Sequence, residues 1–205
     1  FTNYPRRILG PFIETLKEGA IDDPKNAERF LNIITKHINR LNLLIDDLLT
    51  LSKLEQKPDE IKTVDENIYS LLRSVAEDYE FKANEKKITV NIKCDEKLKA
   101  NINKHLLEQA IGNLVDNAIK YSDKKSEIEL GAEEKDKQLQ IYVKDEGYGI
   151  SDDHMPRLFE RFYRVDKGRS REEGGTGLGL AIVKHIINTM NGIIEVDSKP
   201  GKGSK

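Results

Sequence analysis

The chain has 205 residues, a length that suits one large domain or two small ones. Charged residues make up 34% of it, yet the net charge is only -2, so positive and negative charges interleave. This balance argues against binding to nucleic acid or to a membrane surface and favours solvated helical faces. The single cysteine, Cys94, excludes a disulfide framework and a thiol-rich metal site. No apolar run approaches the roughly 18 residues that a membrane-spanning helix needs.

The first part of the chain has the pattern of two helices joined by a turn. Residues 23–56 are predicted to form one long helix, because Asp23 is a candidate N-cap and Pro24 suits the first helical position. A shorter helix is predicted over residues 8–18. Pro11 and the glycine before it are expected to break that helix, since proline removes a hydrogen bond and clashes with the preceding turn.

The long predicted helix carries a wide apolar stripe. Its seam alternates spacings of three and four residues and consists of Ile34, His37, Leu41, Leu44, Leu48 and Leu51. Ile38 and Ile45 add a second row seven residues apart, and a stripe of this width is typical of a four-helix bundle. Because one chain provides only two helices, we predict that residues 1–56 form a dimerisation hairpin and that the protein is a homodimer.

A second domain is predicted after a short linker. Pro58 blocks continuation of the helix, so residues 57–62 are assigned to the linker and residues 63–205 to the second domain. Helices are predicted over 66–84, 103–121 and 176–190, and strands over 88–94, 98–102, 126–132, 138–144 and 193–198. This order predicts an α/β sandwich with helices on one face of a mixed sheet, and an α+β fold for the whole chain.

Four short motifs follow one another in the second domain. They are Asn113-Leu-Val-Asp-Asn117-Ala-Ile-Lys-Tyr121, Asp145-Glu-Gly147-Tyr-Gly149, Phe159-Glu-Arg-Phe162-Tyr-Arg164 and Gly175-Thr-Gly177-Leu-Gly179-Leu180. Asn113, Asn117 and Lys120 share one helical face, and solvated polar surface is an alternative interpretation of that face taken alone. No glycine-rich loop ends in Lys-Ser or Lys-Thr, which excludes a P-loop. The four motifs together favour a nucleotide pocket with a polar helix, two glycine turns and a lid.

In that order the motifs resemble the N, G1, F and G2 boxes of sensor histidine kinases, whose ATP-binding domain belongs to the superfamily of DNA gyrase, Hsp90 and MutL. The resemblance implies that the chain binds ATP and Mg²⁺, with Asn117 as the metal ligand from the protein. It makes Asn113 a second polar contact to the phosphate region and Lys120 a positive charge near the phosphates. Tyr121 is then a wall of the pocket.

The resemblance also assigns roles to the later motifs. Asp145 would accept a hydrogen bond from the exocyclic amine of adenine, and Gly147 and Gly149 would allow close approach of the backbone to the base. Arg164 would contact the terminal phosphate from a lid over residues 163–175. The phosphates would meet the backbone of the G2 box at a helix N-terminus, along Gly175, Thr176, Gly177, Leu178 and Gly179.

One position separates kinases from hydrolases within this superfamily. Where the gyrase, Hsp90 and MutL branch has a glutamate that activates water, this chain has Asn113, and an amide cannot act as a general base. The implied activity is therefore that of an ATP-dependent histidine kinase, with catalytic roles for Asn113, Lys120 and Arg164. The γ-phosphoryl would pass to a histidine and then to an aspartate of a response regulator, which is expected to dock around residues 26–36.

The beginning of the chain departs from the family pattern. Pro5 lies where the proline of the family's His-Glu-x-x-x-Pro block belongs, so the acceptor histidine would precede Phe1. Three explanations are open: the sequence starts inside this block, the region is altered, or the protein is a degenerate kinase. The alternative function is a pseudokinase scaffold that binds ATP but has no acceptor histidine. A mitochondrial-type protein-serine kinase of the same superfamily is a third hypothesis. A closing strand is expected beyond Lys205, and the chain is expected to be the cytoplasmic portion of an inner-membrane-anchored receptor.

Overall fold

The structure is a computed structural model that describes residues 4–56, 62–165 and 175–205. The helices are α1 (Tyr4–Lys17), α2 (Pro24–Gln56), α3 (Ile68–Lys86), α4 (Lys104–Tyr121) and α5 (Gly179–Thr189). The strands are β1 (Val64–Asn67), β2 (Thr89–Cys94), β3 (Lys99–Ile102), β4 (Glu127–Lys135) and β5 (Gln138–Asp145). The predicted linker, apart from Lys62, and most of the predicted lid lie outside the described residues.

The predicted helical hairpin is present. Asp23 is the residue before α2, and its Oδ1 accepts a hydrogen bond from Lys25 N at 3.0 Å, so the predicted N-cap is confirmed. Along α2 several large apolar side chains are exposed in this single chain: Leu31, Ile38, Leu43, Ile45, Leu48 and Leu49. Leu31, Ile38 and Ile45 follow one another at seven-residue intervals, as the predicted second row requires.

The prediction that Pro11 would break the first helix was wrong. Helix α1 runs through Pro11, whose carbonyl oxygen accepts a hydrogen bond from Thr15 Oγ1 at 2.8 Å. Contacts with α2 favour the helix, because the Phe12 ring lies 6.1 Å from that of Phe30 and Leu16 is buried. A single lost backbone bond is thus outweighed by packing between the two helices.

The second domain contains the predicted mixed sheet. Strand β2 pairs in parallel with β4, and β4 pairs antiparallel with β5, while β1 and β3 form a separate antiparallel pair. A tight turn with positive φ at Asp136 and Lys137 joins β4 to β5. Helices α3 and α4 cover one face of the three-stranded sheet, with their apolar sides meeting Ile128 and Leu130 in the core.

The strand predicted over residues 193–198 was wrong. Backbone bonds there join Asp197 to Lys205 at 2.9 and 2.7 Å, and a lone bridge joins Ser198 to Ser204. Ile193 is 84% exposed, and among the described residues no strand pairs with residues 193–196 in a sheet. The segment instead makes a short turn with the last residues of the chain.

Among the described residues, no helix has both the length and the apolar character that crossing a bilayer requires.

Candidate functional site

The polar face of α4 lies beside the start of α5. Asn113 and Asn117 are half-buried on α4, and a Cβ atom placed on Gly179 would come within 2.9 Å of Asn113 Oδ1. Asn113 Nδ2 also donates a hydrogen bond to Gln109 O at 3.0 Å, which fixes the orientation of the amide. The absence of a side chain at Gly179 therefore brings the first helical turn of α5 against this amide.

Lys120 forms an ion pair with a residue that is not among the predicted site residues. Asp116 forms ion pairs with Lys120, one turn later on α4, and with Lys82 of α3. Burial raises the pKa of Asp116, but the two ammonium groups outweigh it, and the net pKa is lowered. The Lys120 side chain is only 15% exposed, so Asp116 holds its charge in place within the domain.

We expect Asp116→Asn to lower the free energy of unfolding by about 2 kcal/mol at pH 7, because it leaves a partly buried lysine without its charged partner. Since the fold lowers the pKa of Asp116, this stabilisation is present above the ordinary pKa of the carboxyl and is lost as the pH falls through the lowered value. Urea unfolding of both proteins from pH 7 to pH 3 measures the difference.

The matched control is Asp65→Asn. Asp65 pairs with Lys99 at 3.5 Å, but both side chains are more than half exposed, so the expected change is below about 0.5 kcal/mol. A destabilisation by Asp116→Asn that stays constant across the pH range would contradict the proposed ion pair.

The Asp145 turn packs on the end of α4. Asp145 Oδ1 accepts hydrogen bonds from Gly147 N at 2.8 Å and from Ser204 N at 3.2 Å. Tyr121 O accepts a hydrogen bond from Tyr148 N at 3.1 Å, and a Cβ atom on Gly147 would lie 2.5 Å from Tyr121 O. The turn can therefore reach α4 only because position 147 is glycine.

Burial raises the pKa of Asp145, and the amides of Gly147 and Ser204 act in the opposite direction. Because the two amides share Oδ1, the other carboxylate oxygen is not part of this bonding. The carboxylate thus has one oxygen fixed by the backbone and a second that can accept a hydrogen bond from a ligand.

The Asp145 turn is also joined to the last turn of the chain. Gly149 has φ +66°, and a Cβ atom there would overlap the backbone carbonyl of Lys199. Tyr148 O accepts a hydrogen bond from Gly201 N at 2.7 Å, and Ile150 N donates one to Ser198 Oγ at 2.9 Å. Two glycine turns are therefore packed backbone to backbone at this edge of the domain.

The Gly177 turn contacts the third motif. Phe162 N donates a hydrogen bond to Gly177 O at 2.8 Å, and both residues have positive φ, +65° at Phe162 and +78° at Gly177. A positive φ is unusual for an aromatic residue. The left-handed backbone at Gly177 also explains why α5 begins at Gly179 and not at the predicted residue 176. The third and fourth motifs thus meet through their main chains.

The side chains of the third motif are exposed to different degrees. Phe162 is 48% exposed, whereas Leu158 is buried and Phe159 lies 5.5 Å from Lys184 Nζ. Arg164 is half-buried and helps to line a cavity of about 220 Å³ formed by residues 157 and 160–164. The rest of the predicted lid, residues 166–174, lies outside the described residues.

Thr176 bonds to the helical hairpin. Its Oγ1 donates a hydrogen bond to Asp47 Oδ2 of α2 at 2.7 Å and accepts one from Leu178 N at 3.2 Å. Leu178 itself is fully buried, so its side chain belongs to the core, and its amide is the donor to Thr176 Oγ1. Gly175, at the start of this motif, is half-buried.

An apolar cluster surrounds the contact between Thr176 and the hairpin. It joins Leu51 of α2 to Ala110 of α4 and to four buried residues of the Gly177 turn and α5, namely Leu178, Ile182, Val183 and Ile186. Leu44 and Leu54 pack against the same cluster. One face of the hairpin is therefore packed on the helices that carry the candidate site.

Two residues of this region had little or no signal in the sequence. The four-residue spacing of Asp116 and Lys120 on a helix does indicate an ion pair and could have revealed Asp116. Asp47 lies 129 residues from Thr176, and no local pattern links positions so far apart. The structure brings all four predicted motifs together around α4 and α5, and adds α2 to them.

Comparisons with known proteins agree with this arrangement. Residues 102–205 match the family model of histidine kinase-, DNA gyrase B-, and HSP90-like ATPases, and residues 11–57 match that of the His Kinase A (phospho-acceptor) domain. The chain is 38% identical over 203 residues to the sensor-like histidine kinase SenX3 of Mycolicibacterium smegmatis. That alignment covers 98% of this chain and 52% of the relative, so the chain spans about half of the relative's length.

Two solved structures have a similar fold. Full-length ShkA in complex with AMPPNP is 28% identical and gives a TM-score of 0.73 over 88% of this chain and 37% of that chain. Histidine kinase ThkA in complex with response regulator protein TrrA gives a TM-score of 0.78 at 24% identity, over 98% of this chain and 56% of that chain. The ThkA similarity concerns the fold alone.

Proposed function

We propose that this chain binds ATP with Mg²⁺ and transfers the γ-phosphoryl group to a histidine. The premise is that it belongs to the sensor histidine kinases of two-component systems. The observation that supports this function most is that the Asp145 turn and the Gly177 turn both meet α4 at a glycine. Gly147 lies against the carbonyl of Tyr121, and Gly179 lies against the side-chain amide of Asn113. Close approach of a glycine backbone suits the recognition of a flat base and of phosphates.

Each predicted site residue has a proposed role. The free oxygen of Asp145 accepts a hydrogen bond from the adenine amine, with Gly147, Gly149 and the side chain of Tyr121 beside the base. Lys120 and Arg164 neutralise the phosphates, and the backbone from Gly175 to Gly179 binds them where α5 begins. That helix has 11 residues, and its first amides point out of the N-terminus.

The donor set fits Mg²⁺. Asn117 offers a neutral oxygen ligand one turn beyond Asn113, while Mg²⁺ usually takes its other ligands from phosphates and water. The metal would supply charge neutralisation between the phosphates. Asn113, which lacks basicity, would hold the phosphate region without activating water. The nucleotide would then be kept intact until a histidine is presented.

The proposed reaction is a phosphoryl transfer that depends on positioning and charge. The bond between the γ-phosphorus and the bridging oxygen breaks, a phosphorus–nitrogen bond to the imidazole forms, ADP leaves, and the imidazole releases its N–H proton to water. Incubation of the full-length protein with γ-labelled ATP and Mg²⁺ should give acid-labile phosphate on histidine. Bound ATP without phosphohistidine would favour the scaffold alternative, which the kinase relatives do not support.

The second transfer would be to a response regulator. The family assignment supports this partner. A groove of about 570 Å³ on α2 overlaps the predicted docking stretch and is lined by Lys25, Glu28, Arg29, Asn32, Ile33 and Lys36. Charge reversal at Arg29 is expected to slow transfer to the regulator while leaving autophosphorylation unchanged, and unchanged transfer would contradict docking at this groove. The proposed receptor anchor in the inner membrane stays a prediction.

The homodimer is part of the same proposal. The exposed apolar row of Leu31, Ile38 and Ile45 gives a second chain a surface to cover. We expect Ile38→Glu combined with Ile45→Glu to convert a dimer to a monomer in sedimentation equilibrium, because two buried charges per chain would face each other. The control Lys36→Glu, at an exposed position on the opposite side of the helix from this row, should leave the dimer intact. A double variant that remains dimeric would place the interface elsewhere.

A further inference from the structure

An acidic side chain of the hairpin contacts the candidate phosphate site. Asp47 of α2 accepts the hydrogen bond of Thr176 Oγ1 at 2.7 Å, and the same oxygen of Thr176 is bonded to the amide of Leu178. Thr176 and Leu178 belong to the turn at which the phosphates of ATP are proposed to bind. A carboxylate of the first domain is therefore hydrogen-bonded to the Thr176 hydroxyl, a polar group of the proposed nucleotide site in the second domain.

The electrostatic surroundings of Asp47 include the same lysine that is proposed to neutralise the phosphates. Burial raises the pKa of Asp47, the Thr176 hydrogen bond and the Lys120 charge act to lower it, and Asp46 and Asp116 raise it further. Asp47 thus interacts electrostatically with Lys120, which is itself paired with Asp116. Two carboxylates share the positive charge in this part of the site.

We propose that the hairpin face formed by Leu44, Asp47, Leu51 and Leu54 is a docking surface for this chain's own nucleotide-binding turn, and that the triphosphate competes with Asp47 for it. The inference rests on the proposed ATP site. Apolar packing of Leu51 against α5 holds the two domains together, while the charge of Asp47 opposes a second anion at Thr176 and Lys120. The hairpin-docked arrangement is consequently one of low affinity for ATP.

The coupling is reciprocal, because two binding events that oppose each other do so by the same factor in both directions. ATP binding weakens the contact between the hairpin face and the Gly177 turn, and removal of the contact strengthens ATP binding. A domain released from the hairpin face in this way is free to carry ATP to an acceptor histidine.

The first test is ATP affinity by isothermal titration calorimetry with Mg²⁺. Asp47→Asn retains the shape of the side chain and an oxygen that can accept the Thr176 hydrogen bond, but removes the charge. We expect it to bind ATP about tenfold more tightly than the unchanged protein, within the usual range of coupling between sites. The control Asp46→Asn removes a charge from the exposed neighbouring position and should leave the affinity unchanged.

The second test measures the contact itself. Leu51 is 3% exposed, so in a Cys94→Ser background the thiol of Leu51→Cys should react slowly with a maleimide. Addition of ATP is expected to raise its labelling rate several-fold as the hairpin face is released. The thiol of Leu49→Cys, at a position that is 53% exposed, should react at one rate with and without ATP.

The outcomes separate this inference from the proposed function. If Asp47→Asn binds ATP no more tightly than the unchanged protein while Asp145→Asn loses binding, the competition is wrong and the ATP site stands. A labelling rate of Leu51→Cys that does not respond to saturating ATP would also overturn the competition. Absence of ATP binding by the unchanged protein would overturn both proposals.

Discussion

Asp145→Asn should reduce the affinity for ATP by about 100-fold, because it changes what the free side-chain atom offers to the base. The amide oxygen can still accept the hydrogen bonds that Gly147 N and Ser204 N now donate to Oδ1. The other atom becomes an N–H donor and would face the donating amine of adenine. A lost charged hydrogen bond and an unpaired donor together cost about 2–3 kcal/mol, which corresponds to roughly two orders of magnitude in affinity.

The same substitution should narrow the preference for ATP over GTP. Guanine has a carbonyl where adenine has an amine, so the new amide donor of residue 145 can bind it. Titration calorimetry with both nucleotides gives the ratio of affinities. Asp197→Asn, at an exposed position near the end of the chain, is the matched control and should leave both affinities unchanged. Equal losses for ATP and GTP would show that residue 145 does not read the base.

Loss of binding by Asp145→Asn should not come from unfolding. Burial raises the pKa of Asp145 in the fold, so its ionised form lowers the stability of the native state as the pH rises above the ordinary value of the carboxyl. The neutral amide removes that penalty. The free energy of unfolding of the variant at pH 7 is therefore expected to equal or exceed that of the unchanged protein, and a large decrease would indicate a structural role instead.

Local patterns predicted most of the elements that hold the site. Asn103 caps α4 by accepting the Leu106 amide at 3.0 Å, and the positions of Asn113 and Asn117 on one face follow from helical spacing alone. The strand ahead of Asp145 was predicted from its alternation and ends at that residue. In each case the information lies within a few residues along the chain.

The errors have a common physical origin in contacts between distant segments. Pro11 remains in a helix because α2 packs against it. The segment before Ser198 is not a strand because, within the described part of the chain, no strand lies beside most of its length. The bond from Thr176 to Asp47 joins two predicted domains. Propensity and periodicity do not contain such contacts, since tertiary packing overrides local preference.

Gly149→Ala should destabilise the second domain by more than about 3 kcal/mol. The left-handed backbone at φ +66° alone costs an L-residue about 1–2 kcal/mol. The added methyl group would also overlap the carbonyl of Lys199, which belongs to the backbone and cannot move aside as a flexible side chain could. Relief requires separating the Asp145 turn from the last turn of the chain, with loss of the 2.7 Å bond from Gly201 N to Tyr148 O.

Gly201→Ala isolates the steric part of this effect. Gly201 has φ +74°, close to that of Gly149, but a Cβ atom there would meet nothing within 4 Å. Its substitution should therefore cost only the backbone strain, about 1–2 kcal/mol. The free energies of unfolding of both variants are measured by urea unfolding and are comparable if the m-values are equal. If the two alanines cost the same, the close approach at Lys199 is not what holds the turns together. If Gly149→Ala costs more and also weakens ATP binding, the last turn of the chain is a structural support of the adenine site.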